Sequence, residues 1–222
     1  MARNFNGTTA RLNVNGAQLY NGLTTAYSLA FWVKAASQNG PIAYSEAHNT
    51  TSNFFGIQTA TGGLLRVAAN NGSATILNFT TVSAILNSTW RHFTYTQTTG
   101  RLSTAYVDGV SDATSTPGAA SWVTTNNARI GDIDRSGVEQ LFWAGSLCHL
   151  ASWSRTLTAG EARLLASGLP PSHLAPDHYW PLWGVDSPEP DLGSATHVTG
   201  AVTAATAVAE ARVTSNLLRI TA

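Results

Sequence analysis

The stretch from Trp90 to Gly109 reads WRHFTYTQTTGRLSTAYVDG. Apolar and polar residues alternate on both sides of Gln97-Thr98-Thr99-Gly100, the pattern of two strands joined by a tight turn. Asp108-Gly109 then supplies the next turn, because Asp-Gly pairs reach the positive φ that short hairpins need. The only acid in the stretch is Asp108, and it belongs to that turn. The hairpin therefore builds surface and carries no acid–base chemistry.

The same grammar continues outward. Strands are expected at 9–14, 27–35, 42–45, 54–59, 64–69, 74–79, 90–96, 102–107, 128–132 and 141–154. Asn-Gly at 15–16, 39–40 and 71–72 and Gly-Gly at 62–63 punctuate them. In Leu29-Ala30-Phe31-Trp32-Val33 one face carries Leu29, Phe31 and Val33 and the other Ala30, Trp32 and Lys34. The spacing of LTAGEARLLASG predicts one helix. Thr158 is its N-cap, Glu161 completes a capping box, Leu164 and Leu165 form its apolar face, and Gly168 ends it. Many short strands with one short helix predict an all-β, antiparallel sandwich or barrel.

Composition narrows the function. Of 222 residues 43% are apolar, enough for a sizeable core, while charged residues make up only 11%, against the usual quarter. The net charge is zero and no Lys/Arg run occurs, which argues against nucleic acid as a partner. No apolar stretch approaches the length of a membrane span, and MARNFNGTTARL does not read as a Sec-type signal. The single cysteine, Cys148, cannot form an internal disulfide and reads as a buried thiol, so folding in a reducing cytoplasm is expected.

Several segments resemble a laminin G-like domain of the concanavalin A-like lectin/glucanase superfamily. They are FNGTTARLNV (5–14), YSLAFWVKA (27–35), FFGIQTATGGLLRV (54–67), the opening hairpin, ARIGDID (128–134) and LFWAGSLCHLASWSRTLTAGEARLLASG (141–168). The resemblance covers about residues 4–185 and implies a jelly-roll β-sandwich over 1–185. It implies surface recognition more than catalysis, since the fold hosts many functions. Where the family usually carries aliphatics before Tyr-Val-Asp-Gly, this chain has Ser103 and Ala105. Bulkier neighbours fill the space, or the face is open.

Residues 186–222 read as a linker and an Ala/Thr/Val-rich arm. Val198, Val202, Val208, Val213, Leu217, Leu218 and Ile220 are its candidate partner-binding residues, by strand addition to a neighbouring sheet; a last strand of the same sandwich or a loose end are the plainer readings.

Candidate chemistry is sparse. Related glucanases resemble this fold and carry Glu-x-Asp-x-x-Glu. Here the only Glu-x-Asp is Glu189-Pro190-Asp191, followed by Ser194 in a proline-bearing loop. No nucleophile elbow or His-Glu-x-x-His occurs, and His92 reads as a structural histidine. The protein is expected not to be an enzyme. Asp132, Asp134 and Glu139 form a candidate calcium site, with oxygens at alternate positions before Gly137. Trp143 stands where an EF-hand needs its closing acid, so a polar hairpin tip is the simpler reading. No other cofactor is expected. Trp122, in AASWVTTNN, is the exposed tryptophan best suited to a sugar ring.

The first functional reading is a non-enzymatic virion protein, a phage capsid decoration or fibre-associated component assembled in the host cytoplasm. It rests on the likeness of HYWPLWGVDSPEPDLGSATHVTG (178–200) to the ends of laminin G-like proteins in phage genomes. Its partners would be other virion proteins, a second copy of itself, or host surface glycans. The second reading is a secreted or cell-surface carbohydrate-binding or adhesion module, placed outside the cell. A glycoside hydrolase is the third and needs a facing carboxylate pair.

Overall fold

The computed structural model describes residues 1–15, 19–48, 52–122, 125–184, 187–195 and 201–208. The strands are β1 (Ala2–Asn6), β2 (Arg11–Asn15), β3 (Tyr27–Lys34), β4 (Ile42–Ala47), β5 (Asn53–Ala60) and β6 (Leu64–Asn71). They continue as β7 (Thr75–Thr80), β8 (Arg91–Gln97), β9 (Ser103–Val107), β10 (Val110–Ser115), β11 (Asn127–Ile130), β12 (Ile133–Arg135), β13 (Val138–Gln140) and β14 (Ala144–Trp153). Helix α1 (Ala159–Ala166) follows, then β15 (His178–Trp180), β16 (Ala201–Thr203) and β17 (Thr206–Val208).

Two antiparallel sheets face each other. Sheet A runs β10-β9-β8-β3-β14-β1-β17, with β15 also paired to β14, and sheet B runs β16-β2-β11-β4-β5-β6-β7. Leu29, Phe31 and Val33 point into the core, as their alternation predicts, and meet Phe55, Ile57, Leu65 and Val67 of sheet B. Strand β14 switches partners along its length. Its first half pairs with β1 and its second with β15, across an irregularity between Cys148 and Ala151. Cys148 is buried, as expected.

The opening hairpin forms as β8 and β9, with Phe93 opposite Val107 and Gln97 opposite Ser103. Its turn lies one residue later than the sequence suggests. Arg101 N donates to Thr98 O, and Arg101, not Gly100, has positive φ. Asp108 and Gly109 both adopt positive φ, and the Asp108 carboxylate accepts from His92 N at 2.8 Å. Around Ser103 and Ala105 the layer is filled: both are buried, and Tyr95 contacts Ser103 Oγ at 3.1 Å.

Helix α1 has both halves of the capping box: Glu161 N donates to Thr158 Oγ1, and Thr158 N to Glu161 Oε2. Arg155 beside Glu161 holds that carboxyl down at about 2. Of the expected apolar pair only Leu165 is buried, against Trp153, Leu157 and Ala30 on the outer face of sheet A; Leu164 is 49% exposed.

Contacts cross the boundary expected near residue 185. Arg3 pairs with Glu189 in full burial, and Asp191 binds His178. Further on, β16 adds to β2 and β17 to β1, so residues 201–208 form the last strand of both sheets. Val202 packs at the core's margin and Val208 pairs with Ala2. Val198, Val213, Leu217, Leu218 and Ile220 lie outside the described residues.

Candidate ligand-binding face

Alternation assigns the outer face of sheet B. Leu12, Tyr44, Ile57, Val67 and Ile130 enter the core, so their strand neighbours point outward. One cross-strand row on that face runs Asn13, Arg129, Ser45, Gly56, Ala68, Asn78 through register pairs on β2, β11, β4, β5, β6 and β7. Gly56 and Ala68 are the smallest residues of the row and make a low but buried floor on β5 and β6, with Phe54 and Ile42 side-chain atoms beside Gly56. One flank is Phe54, under the Arg135 guanidinium at 5.3 Å, with Asn70 beside it. The other is the pair Gln58–Arg66, with Thr80 opposite Arg66. Asn78 and Thr80 are exposed. Among the described residues no carboxylate pairs with Arg66, whose Nη2 donates to Gln58 Oε1.

The β12–β13 hairpin folds over the β4–β11 half of this face. Ile133 packs on Ile42, Ala47 and Phe54, and Ser45 Oγ donates to Asp132 O at 2.8 Å. Asp132, Asp134 and Glu139 converge here, as their spacing suggests, but around an arginine. Arg129 Nη1 reaches Asp132 Oδ2 at 3.2 Å and Glu139 Oε1 at 2.9 Å, and Nη2 reaches Asp134 Oδ2 at 2.9 Å. Arg129 Nε donates to Asn127 Oδ1, Asn127 Nδ2 to Asp134 Oδ2, and Arg11 pairs with Glu139. Burial pushes the Asp132 carboxyl up to about 7, outweighing the pull of Arg129 and Arg11. Asp132 Oδ1, Asp134 Oδ1 and Asn13 Oδ1 are buried without a hydrogen-bond partner. Among the described residues no group of three His, Cys, Asp or Glu side chains is placed to hold a metal ion.

Trp122, expected to be exposed, is half-buried. Its ring meets Tyr20 edge-on at 4.9 Å and leans over Gly22, where any Cβ would strike the indole. Beneath it Glu46 is fully buried, accepting from Tyr20 N, Leu19 N and Tyr44 OH; burial raises its pKa. His92 is buried against Trp32, and desolvation lowers its imidazole to about 3. The Glu189 and Asp191 carboxylates do not face each other across a groove: one is spent on Arg3, the other on His178.

The sequence reading missed Arg129, Gln58 and Arg66. Arg129 had a signal: it lies three, five and ten positions before the acids it holds. Gln58 and Arg66 become neighbours only through the β5–β6 register.

Among solved structures the fold recurs in the NanB sialidase of Streptococcus pneumoniae. It is 14% identical, with a TM-score of 0.59 over 73% of this chain and 27% of that one. The chain thus spans about a quarter of that sialidase. The CBM40 of the Ruminococcus gnavus IT-sialidase, solved bound to alpha2,3 sialyllactose, is 14% identical over 64% of this chain and 83% of that one, TM-score 0.55. Domain 4 of AbnA, a GH43 extracellular arabinanase from Geobacillus stearothermophilus, solved with arabinotriose, is 15% identical over 74% and 76%, TM-score 0.57. No curated protein sequence matches the chain. A family model matches residues 6–163, more than half of the molecule, and by that match the chain belongs to the concanavalin A-like lectin/glucanases superfamily.

Proposed function

We propose that this protein is a non-enzymatic carbohydrate-binding module that takes glycans on the outer face of sheet B. The observation that carries this reading is the low Gly56–Ala68 floor between the Phe54–Arg135 stack and the Gln58–Arg66 pair. Sugar hydroxyls both donate and accept: the Arg66 guanidinium donates, and the exposed Asn78 and Thr80 beside it offer both, while Gln58 is taken up by Gly40 O and Arg66 and holds the guanidinium in place. An aromatic stacked under a cation gives an apolar wall for a ring's C–H face. Two of the fold neighbours were solved with an oligosaccharide bound, which supports the same use of the architecture.

Hydrolysis is disfavoured by the fate of the acids. Glycosidases need two carboxyls flanking the scissile bond, one of them able to deliver a proton. Asp132, Glu46 and Glu189 are fully buried and cannot reach a substrate oxygen. Asp134 and Glu139 reach solvent, and both are held by Arg129. The same guanidinium supplies the positive charge that calcium would bring to Asp132, Asp134 and Glu139. Neither the family nor the shared fold points to a virion, so the carbohydrate-binding reading moves ahead of it.

The test is a glycan array followed by calorimetry on the strongest hit. Arg66→Ala and Asn78→Ala should each weaken that hit about tenfold, the loss of one or two hydrogen bonds to a charged or polar anchor. Undiminished affinity in both variants, or no hit on the array, refutes the assignment.

A further inference from the structure

A cleft of about 140 Å³ opens at one end of sheet A, where β14 ends and β15 begins, remote in register from the Gly56–Ala68 floor. That is room for about four or five waters, judged by water's share of liquid volume. Ser152, Ser154, Asp177, His178 and Asn21 line it with polar atoms, and Trp153 forms part of its wall.

Two of these groups are presented to the cleft by the sheet. Ser152 and His178 are register partners on β14 and β15, so their side chains lie side by side on one face. His178 is locked. Its Nδ1 meets Asp191 Oδ2 at 2.6 Å, while Asp191 Oδ1 accepts from Tyr179 N at 2.8 Å and Gly193 N at 2.9 Å. Its ring lies parallel to Trp180, 4° apart in plane and 5.5 Å between centroids. An ionised Asp191 cannot donate, so Nδ1 carries a proton, and Nε2 points away from Asp191 as the ring's second polar atom. Neither His178 Nε2 nor Ser152 Oγ has a hydrogen-bond partner among the described residues, and both residues line the cleft.

We propose that this cleft is a second ligand site, for one small neutral polyol or the hydroxyl-bearing edge of a sugar ring, held by His178 Nε2, Ser152 Oγ and the Asn21 amide. The charge balance disfavours an anion: among the described residues no Arg or Lys lines the cleft, and Asp177 does. The Asp177 Oδ2 atom is already taken by Ser154 N and Oγ, so it helps shape the site. A ring nitrogen at His178, a hydroxyl at Ser152 and an amide at Asn21 match the dual donor–acceptor character of vicinal hydroxyls. The volume admits one small polyol, or the edge of a sugar ring, and no chain. The site is independent of the outer face of sheet B.

Histidine-labelled protein should be titrated with glucose, galactose, xylose and glycerol, with acetate as the anionic control, following the His178 Nε2 resonance. At least one neutral polyol should shift it saturably, and acetate should not. Ser152→Ala and Asn21→Ala, which remove no intramolecular hydrogen bond, should leave Tm unchanged and weaken the effect about fivefold to tenfold. Arg66→Ala should leave it intact, which separates this site from the glycan face. The proposal fails if no polyol shifts the resonance, if acetate shifts it equally, if both cleft variants bind like the parent, or if Arg66→Ala abolishes the response.

Discussion

Arg3 and Glu189 stand 186 positions apart in the chain and form a buried ion pair, both side chains at most 2% exposed. Glu189 Oε1 also accepts from Trp183 N at 3.1 Å, so the carboxylate fastens the 187–195 segment to β1. Removing one partner strands the other charge in low dielectric, which costs about 3–5 kcal/mol. Glu189→Gln should therefore lower Tm by roughly 10 °C or more, read by calorimetry. Glycan binding at the outer face of sheet B should persist at temperatures where the variant is folded.

Arg129 neutralises three carboxylates at once, so its loss is worse than the loss of any one of them. Arg129→Met should destabilise by several kcal/mol and speed amide exchange over residues 133–140, where the β12–β13 hairpin loses its anchor. Adding Asp132→Asn to that variant removes one stranded charge and should restore about 1 kcal/mol or more, a coupling that a double-mutant cycle measures. Simple additivity of the two substitutions would contradict the arrangement.

Legibility in the sequence tracked how local each cause is. The alternation of Leu29, Phe31 and Val33, the turn at Asp108-Gly109 and the Thr158–Glu161 box are all set within a few residues, and the structure has each of them. Strand β1 was missed because Arg3 earns its burial from Glu189, which no window around residue 3 contains. Strand β10 was missed because its residues are at most half-buried and polar, so no alternation marks it. The acids of 132–139 read as a polar hairpin tip or a calcium site; what the sequence did not show is that Arg129, on the preceding strand, sits among all three. Trp122 looked exposed because its cover, Tyr20 and Gly22, lies a hundred positions earlier.

Stability should depend on pH through two buried groups of opposite sign. His92 is lowered to about 3 in the folded state. Below about pH 6.5 the unfolded chain takes up a proton there that the folded chain refuses, so stability falls with falling pH. Asp132 is raised to about 7, so the folded state binds the proton first, and stability from this group rises as pH falls from about 7 towards 4. Asp132→Asn should therefore leave a protein whose Tm drops more steeply between pH 7 and 4 than that of the parent. Parallel Tm–pH curves for the two would remove Asp132 from the account.

Truncation distinguishes an arm from a strand. In the structure β16 covers the edge of β2 and β17 covers the edge of β1, so residues 201–208 close both sheets on the same side. An arm reserved for a partner could be deleted with no effect on the monomer. Deletion of 201–222 should instead lower Tm, since Val202 leaves the core margin, and should raise amide exchange in both β1 and β2 while β6 and β9 stay protected. Two freed edges also present unpaired N–H and C=O groups, so the truncated protein should self-associate more readily in light scattering. A truncated chain with parental Tm and unchanged exchange in β1 and β2 would return these residues to the role of a free arm.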